Sequence, residues 1–317
     1  MKIILIIFSL LILLFTSCSS KNDQPNKVEP HSRKNELLFS LIPSEKTGIK
    51  FRNVIKENLY FNFLNFSYIY DGGGVAAGDI NNDELVDLYF TSNQQSNKLY
   101  LNKGNFEFED ITQKAQVADE NGWTTGVTMI DINNDGYLDI YVCKSGSLKD
   151  DGLRKNKLFI NQKNNTFKEE AHKYNLDDAG YATQSYFFDF DKDDDLDLYL
   201  VNHPPDFMNN VTINVEGYKN TNPYSSDQLY RNDGHVFTNI TKQAKITNKA
   251  WGLSAAIGDF NNDSYPDVYV CNDFLESDFL YINNQNGTFS NKILEKTGHI
   301  SANSMGSDFA DINNDLY

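Results

Sequence analysis

The sequence predicts an all-β chain, a β-propeller of four-stranded blades, and three recurring features of its 317 residues carry that reading. First, an acidic segment returns in one register: DINNDELVDLYF (79–90), DINNDGYLDIYV (131–142), DFDKDDDLDLYL (189–200) and DFNNDSYPDVYV (259–270), with DINNDLY beginning again at Asp311. Second, each of the first four is followed by a strand, an Asn/Gly turn and a strand, a hairpin signal: NKLYLNKGNFEFEDIT (97–112), NKLFINQKNNTFKEE (156–170), DQLYRNDGHVFTNIT (227–241) and DFLYINNQNGTFSNK (278–292). Third, each is preceded by a small-residue run: GGGVAAGD (72–79), TTGVTMID (124–131), ATQSYFFD (182–189) and GLSAAIGD (252–259). The acidic segments start 52, 58, 70 and 52 residues apart, near the period of propeller blades. A unit of that size has too little core to stand alone comfortably, which disfavours a linear array of separate modules.

Each repeat is expected to hold four strands, in the first repeat Val75–Asp79, Leu85–Thr91, Lys98–Leu101 and Phe106–Ile111. The small-residue strand is the innermost, because Gly and Ala allow close approach at a crowded axis. The blades span about 75–122, 123–180, 181–249 and 250–302, and an incomplete one spans 303–317. The third carries a long insertion, 202–226, opened by an HPP segment at His203 and holding Asp206, Phe207, Tyr218 and Tyr224. Long loops often carry binding function.

Upstream of the repeats, Met1-Lys2 precedes the apolar run IILIIFSLLILLF (3–15). That run is short for a membrane span of about 20 residues. Thr16-Ser17-Cys18 follows, small residues before a cysteine. Residues 1–18 resemble a bacterial lipoprotein signal, with cleavage before Cys18 and acylation of its thiol; an uncleaved N-terminal anchor is the alternative. Residues 19–35 are polar and contain two prolines, the composition of a disordered tether. Within 36–74, TGIKFRNV (47–54) resembles the outer strand NFEFEDIT and is the candidate strand for closing the ring. LYFNFLNFSYIYDGGG (59–74) is aromatic and is expected to pack into the core. Cys143 and Cys271 each lie four residues after an equivalent Asp, Asp139 and Asp267. They read as separate buried thiols, because residues in non-neighbouring repeats are too far apart to bridge.

Composition narrows the function classes. Lys and Arg total 28 against 44 Asp and Glu, a net charge of −16. No basic surplus exists to displace counterions, so nucleic acid is a poor partner, and charge-driven adsorption to anionic lipid is disfavoured. With 22 Phe and 18 Tyr the chain can build a large core despite its acidity. Asn is as abundant as those two together, which suits polar turns and oxygen ligands.

The acidic segment follows the pattern D-x-[DN]-x-D-x-x-x-D. Side-chain oxygens at positions 1, 3, 5 and 9, with a backbone carbonyl at position 7, suit a chain wrapped around a hard cation. The candidate ligands are Asp79, Asn81, Asp83, Leu85 and Asp87; Asp131, Asn133, Asp135, Tyr137 and Asp139; Asp189, Asp191, Asp193, Asp195 and Asp197; and Asp259, Asn261, Asp263, Tyr265 and Asp267. Leu85, Tyr137, Asp195 and Tyr265 are the carbonyl donors. Asp311, Asn313 and Asp315 begin a fifth, incomplete site. Calcium fits better than magnesium, which demands a tighter octahedron and keeps its waters. No Cys or His lies in any loop, which argues against zinc and copper. An EF-hand is also excluded: it needs Gly at position 6, Glu at position 12 and a following helix. Position 6 here is Glu84, Gly136, Asp194 or Ser264, and position 12 is Phe90, Val142, Leu200 or Val270. Glu84 sits where a small or left-handed residue is expected, so the first site should bind weakly. A solvated acidic hairpin without metal is the competing reading.

The acidic loop, its small-residue strand and the later N-x-L-Y-x-N…F hairpin resemble FG-GAP/VCBS repeats, the calcium-loop blades also found in integrin α-subunit propellers. The likeness covers 72–317 and extends to about residue 47. The order of lipoprotein signal, TGIKFRN, Y-x-Y-D-G-G-G-V-A-A-G-D and repeats is similar to Bacteroidetes-type surface lipoproteins of ASPIC/UnbV architecture. That resemblance implies a ring of about seven blades, of which this chain holds four and a part, so it is expected to be truncated and aggregation-prone alone. It also implies a cell envelope location, lipid-anchored at the outer membrane or surface of a Gram-negative bacterium.

No catalytic constellation emerges. The five histidines, His31, His172, His203, His235 and His299, lie in no nucleophile or metal-protease motif, and Gly72-Gly73-Gly74 lacks the helix a phosphate loop needs. The expected function is a calcium-stabilised, surface-anchored, non-enzymatic propeller module binding extracellular protein or glycan. The alternatives are a propeller-scaffold enzyme acting on polysaccharide and a purely architectural module. An enzyme requires carboxylates outside the metal loops converging on one pocket; a binder requires exposed aromatics on one rim.

Overall fold

Sixteen antiparallel strands in four sheets organise the described part of the chain. The computed structural model describes residues 39–59, 61–146, 150–204, 226–246, 248–274 and 276–313. The signal, Cys18 and the tether, residues 205–225 of the insertion, and Asp315 lie outside the described residues. The first sheet holds β1 (Val75–Gly78), β2 (Asp87–Phe90), β3 (Lys98–Asn102) and β4 (Phe108–Asp110). The second holds β5 (Trp123–Ile130), β6 (Asp139–Ser145), β7 (Lys157–Asn161) and β8 (Phe167–Glu169). The third holds β9 (Ala182–Phe188), β10 (Asp197–Asn202), β11 (Gln228–Asn232) and β12 (Phe237–Asn239), and the fourth β13 (Trp251–Gly258), β14 (Asp267–Asp273), β15 (Phe279–Asn283) and β16 (Phe289–Asn291). Each sheet is a meander in sequence order. The expected four strands per repeat are therefore present, and the four sheets are blades of a partial propeller that is not closed into a ring.

Burial follows the residue patterns. β6 and β10 are buried along their whole length, as their apolar runs require when both sheet faces are covered. The ends of β4, β8 and β12 are exposed, because the fourth strand is the outer edge. A one-turn helix follows each outer strand: Thr112–Ala115, Ala171–Tyr174, Thr241–Ala244 and Ile293–Thr297. Left-handed residues Gln116, Asn175, Lys245 and Gly298 end these turns. Four or five residues are too few to show a helical period, so these turns were not legible in the pattern.

The inner strands pack in series, β1 on β5, β5 on β9 and β9 on β13. Glycine is required at this approach. A Cβ on Gly126 would lie 2.5 Å from the Thr183 carbonyl oxygen, and one on Gly74 would lie 2.9 Å from that of Thr125. Each junction of neighbouring blades has its own hydrophobic cluster. Ile80 packs with Val127, Ile140 and Phe159; Ile132 with Leu198, Leu200 and Phe237; Phe190 with Val268, Val270 and Phe289. Each of these three residues is the second of an acidic segment, so a loop of one blade is seated in the core of the next.

The candidate closing strand 47–54 is not a strand. After the turn Ser44–Thr47 the chain runs beside the first blade in irregular conformation. Phe51 stacks on Phe90 with centroids 5.0 Å apart. The Val54 N–H donates to Gln95 Oε1 at 2.9 Å, and the Lys56 N–H to Gln94 Oε1 at 2.7 Å. Within 47–54, the Lys50 N–H donates to the Tyr100 hydroxyl at 3.3 Å, so side chains of the first blade take part of this backbone. The aromatic segment does pack as expected: Phe66, Tyr68 and Ile69 are buried with Trp123 and Trp251. Cys143 and Cys271 are both buried free thiols. Among the described residues no helix is long and apolar enough to cross a membrane.

Phe190→Ala should lower the unfolding free energy by about 3–5 kcal/mol, the usual cost of deleting a buried Phe. Denaturant titration checks this, and a loss below about 1 kcal/mol would show that Phe190 does not anchor the blade interface.

Candidate metal centres

Each acidic segment joins the innermost strand of a blade to the second strand, and its shape is set by aspartate oxygens taking backbone N–H groups. The position 1 carboxylate accepts from the N–H groups of positions 5 and 6: Asp83 (3.2 Å) and Glu84 (2.7 Å) onto Asp79, and Asp135 (2.9 Å) and Gly136 (2.8 Å) onto Asp131. Asp189 accepts from Asp193 (3.2 Å) and Asp194 (3.1 Å), and Asp259 from Asp263 (3.1 Å) and Ser264 (2.6 Å). To point these donors inward the backbone turns left-handed twice. Position 4 is Asn82, Asn134, Lys192 or Asn262, with φ of 60°, 60°, 66° and 60°. Position 6 is Glu84, Gly136, Asp194 or Ser264, with φ of 68°, 84°, 71° and 69°. Left-handed backbone is costly outside Gly, Asn and Asp, so Glu84 strains the first loop, as its sequence suggests. The N–H of each position 7 residue, Leu85, Tyr137, Asp195 and Tyr265, donates to Oδ1 of the position 5 aspartate at 3.0, 3.0, 3.2 and 2.8 Å.

The position 9 aspartates, Asp87, Asp139, Asp197 and Asp267, have no exposed surface. One oxygen of each accepts from the position 2 N–H (Ile80, Ile132, Phe190, Phe260) at 3.0, 3.3, 3.0 and 2.9 Å. The other accepts from the N–H of an Asn at the end of the third strand (Asn102, Asn161, Asn232, Asn283) at 2.7, 2.7, 2.9 and 2.8 Å. That Asn returns its side-chain amide to the position 8 carbonyl, Val86, Leu138, Leu196 or Pro266, at 2.8, 3.0, 3.3 and 3.3 Å. The final Asn of the N-x-L-Y-x-N signature is thus a structural partner of the acidic loop. In the sequence this Asn reads only as part of the hairpin.

The charges are unevenly balanced. Burial pushes Asp139 and Asp197 up to about 7, against the pull of the N–H donors, and the other loop carboxylates add to the rise. Asp87 and Asp267 are raised for the same reasons. Asp79 goes the other way: burial opposes it, but the N–H groups of Glu84, Asn81 and Asp83 together hold it below the usual carboxylate range. Three or four carboxylates crowded in one turn repel one another, which adds to the rise of the buried position 9 group.

The third loop fits a hard cation most closely. Carboxylate oxygens of Asp189, Asp191 and Asp197 lie within 4.8 Å of one another. Oδ1 of Asp191 and Oδ1 of Asp195 are enclosed without a hydrogen-bond partner. Burial and the neighbouring aspartates raise both, Asp195 to about 6. In the first and fourth loops an Asn at position 3 relieves the crowding: Asn81 and Asn261 donate to Asp83 and Asp263 Oδ2 at 3.0 and 2.9 Å. In the second, Lys163 approaches Asp135 Oδ2 at 3.4 Å, and in the fourth, Gln285 donates to Asp263 Oδ2 at 3.0 Å. Asn133 stands at the same position in the second loop. In the fifth segment the Asn313 N–H donates to Asp311 Oδ1 at 3.2 Å, the start of the same turn.

The loops also touch in series. The Asn82 side chain donates to the Gly136 carbonyl at 2.9 Å, and the Lys192 ammonium lies 4.4 Å from the centre of the Tyr265 ring. Asn161 and Asn283 donate at 2.8 Å to the carbonyls of Ile80 and Phe190, each in the loop of the preceding blade. Compared with known families, residues 65–142, 220–270 and 259–317 match the FG-GAP-like repeat, more than half of the chain. No curated protein matches the chain.

The raised position 9 aspartates set the pH response of metal-free protein. A carboxyl raised in the folded state stabilises fully below its unfolded value near 4 and loses that contribution as pH rises through the folded value, here about 7 for Asp139 and Asp197. His203, lowered by burial to about 4, loses stability in the opposite direction but only below about 6.5. Lowering the pH from 8 to 6.5 should therefore raise the melting temperature in chelator. A flat or falling melting temperature over that range would contradict this electrostatic reading.

Proposed function

Because the chain belongs to the FG-GAP-like repeat family, we propose that it is a calcium-stabilised β-propeller module that binds an extracellular protein or glycan. The observation that carries the metal reading is the third loop, with its three converging carboxylates and the enclosed, unpartnered oxygens of Asp191 and Asp195. The first, second and fourth loops repeat its backbone geometry. Calcium suits this donor set, which is all oxygen and irregular. Its role would be structural. The ion would sit against the carboxylates that hold positions 1 and 9, and so would stiffen the turn that seats Ile80, Ile132 and Phe190 in the next blade. The binding reading draws on the large apolar side chains exposed along residues 59–70, Leu59, Phe63, Leu64 and Tyr70, since clustered exposed apolar surface marks interaction sites. Attachment to the outer membrane or cell surface through acylated Cys18 rests on the small residues before that cysteine.

A second reading, an enzyme acting on polysaccharide, gains one observation. Asp71 lies outside the metal loops, is raised by burial and by the charge of Asp273, and lines a cavity. The metal loops take no part in that reading.

Melting in calcium, in magnesium and in chelator tests the main proposal. At ten times Kd each site adds about 1.4 kcal/mol, so four sites should raise the melting temperature by about 10–20 °C in calcium. Magnesium should do much less, and equal melting in all three conditions would remove the metal. For the anchor, Cys18→Ser should move the expressed protein from the detergent phase to the aqueous phase. Unchanged partition would refute acylation at that thiol.

A further inference from the structure

The Asn that ends each third strand braces the acidic loop with its amide, and in three blades its side-chain oxygen places one more residue. Oδ1 of Asn102, Asn161 and Asn283 accepts the N–H of the residue two positions on, Gly104, Lys163 and Gln285, at 2.9, 2.8 and 2.9 Å. In the third blade the corresponding residue is Gly234. All four, in chain order, have left-handed backbone, with φ of 81°, 61°, 79° and 59°, a conformation that favours glycine. Gly104 and Gly234 have no side chain to reach the acidic loop. In the second and fourth blades a long side chain does reach the position 5 aspartate. The Lys163 ammonium lies 3.4 Å from Asp135 Oδ2, and Gln285 donates to Asp263 Oδ2 at 3.0 Å. We propose that Lys163 is a tethered cation that competes with the divalent ion for the second loop and so lowers the calcium affinity of that loop. The proposal rests on the calcium reading, and it assigns a residue outside the acidic motif that tunes one of the sites.

Lys163 stands against two candidate ligand positions at once. Besides Asp135 Oδ2 its ammonium meets the Asp135 carbonyl at 3.4 Å. It also lies 5.1 Å from the centre of the Tyr137 ring, at the position whose carbonyl is a candidate donor. A divalent ion held by Asp135 would be a like charge beside that ammonium. Lys163 must then withdraw, giving up its ion pair and its cation–π contact, or stay and repel the ion. Without metal the same ammonium offsets part of the crowding among Asp131, Asp135 and Asp139. The other loops differ. Neutral amides meet position 5 of the first loop, from Asn81, and of the fourth, from Asn261 and Gln285. The third has the carboxylate of Asp191 at position 3 and Gly234 on its hairpin. Among the described residues, Asp135 is the one position 5 aspartate in an ion pair.

Hydrogen exchange of the full chain across a calcium titration reads each loop separately. In the second loop the N–H groups of Asp135, Gly136 and Tyr137 are bound to carboxylates of the loop itself, so they report on it. The Lys163 side chain is about half exposed, and exposed ion pairs are weak. Lys163→Gln should therefore lower the calcium concentration that half-protects those amides by about three- to fivefold. The shift should shrink at high salt, and the midpoints of the other loops should not move. Lys163→Arg, which keeps the charge, should keep the wild-type midpoint. A merely structural Lys163 would instead leave the Lys163→Gln amides less protected both with and without calcium. An unchanged or higher midpoint in Lys163→Gln, or a Lys163→Arg that behaves like it, would overturn the proposal. If calcium protects no loop in any of the three proteins, the calcium reading falls and this one falls with it. Calcium protection at the other loops with no shift at the second sinks the tethered cation alone.

Discussion

A buried carboxylate that must be shared is the constraint on which the rest of this structure depends. Each position 9 aspartate is sealed from solvent, and its two oxygens bind N–H groups from two places: the start of its own acidic loop and the end of the third strand. Those N–H groups are dipoles and not charges, and burial still raises the carboxyl. The blade is therefore cross-braced by a group that is poorly solvated when ionised. Protonation or a cation would resolve that conflict, and in the third loop the carboxylates of Asp189 and Asp191 converge on the buried Asp197.

The brace reaches beyond its own blade. Because position 2 donates its N–H to the buried aspartate, its side chain is aimed outward, and Ile80, Ile132 and Phe190 enter the core of the following blade. The Asn of the third strand secures two of these residues a second time, through the carbonyls of Ile80 and Phe190. Loop geometry and blade docking thus share the same few atoms. Any ligand that organises the acidic loop acts on the joint between blades, which is how a local turn can govern the stability of a repeat array.

Much of this was legible in the sequence, because the repeat states it several times over. Strand number, strand order and the turn at positions 1 to 9 follow from patterns with a period of two and a fixed oxygen spacing. Glu84 stands where a small or left-handed residue is expected, and its φ is 68°. Three things were hidden. The one-turn helices are too short for periodicity. The candidate closing strand 47–54 has the composition of a strand, but it runs irregularly beside the first blade, tied to it by side chains such as Tyr100 and Gln95. The pairing of Asn102, Asn161, Asn232 and Asn283 with the acidic loop joins residues 15 to 35 positions apart, and a one-dimensional pattern does not reveal which turn a distant Asn serves.

The acidic loops all follow the last residues of the innermost strands, at one end of each blade. The acidic end and the blade interfaces should act as one cooperative unit. Hydrogen exchange of the full chain, in calcium and in chelator, measures this most directly. Chelation should lower the protection of the Phe190, Asp193 and Asp194 amides and, by a similar factor, that of β14 and β15 in the next blade. If those loop amides open while β14 and β15 keep their calcium-loaded protection, loop and interface are independent and the account is wrong.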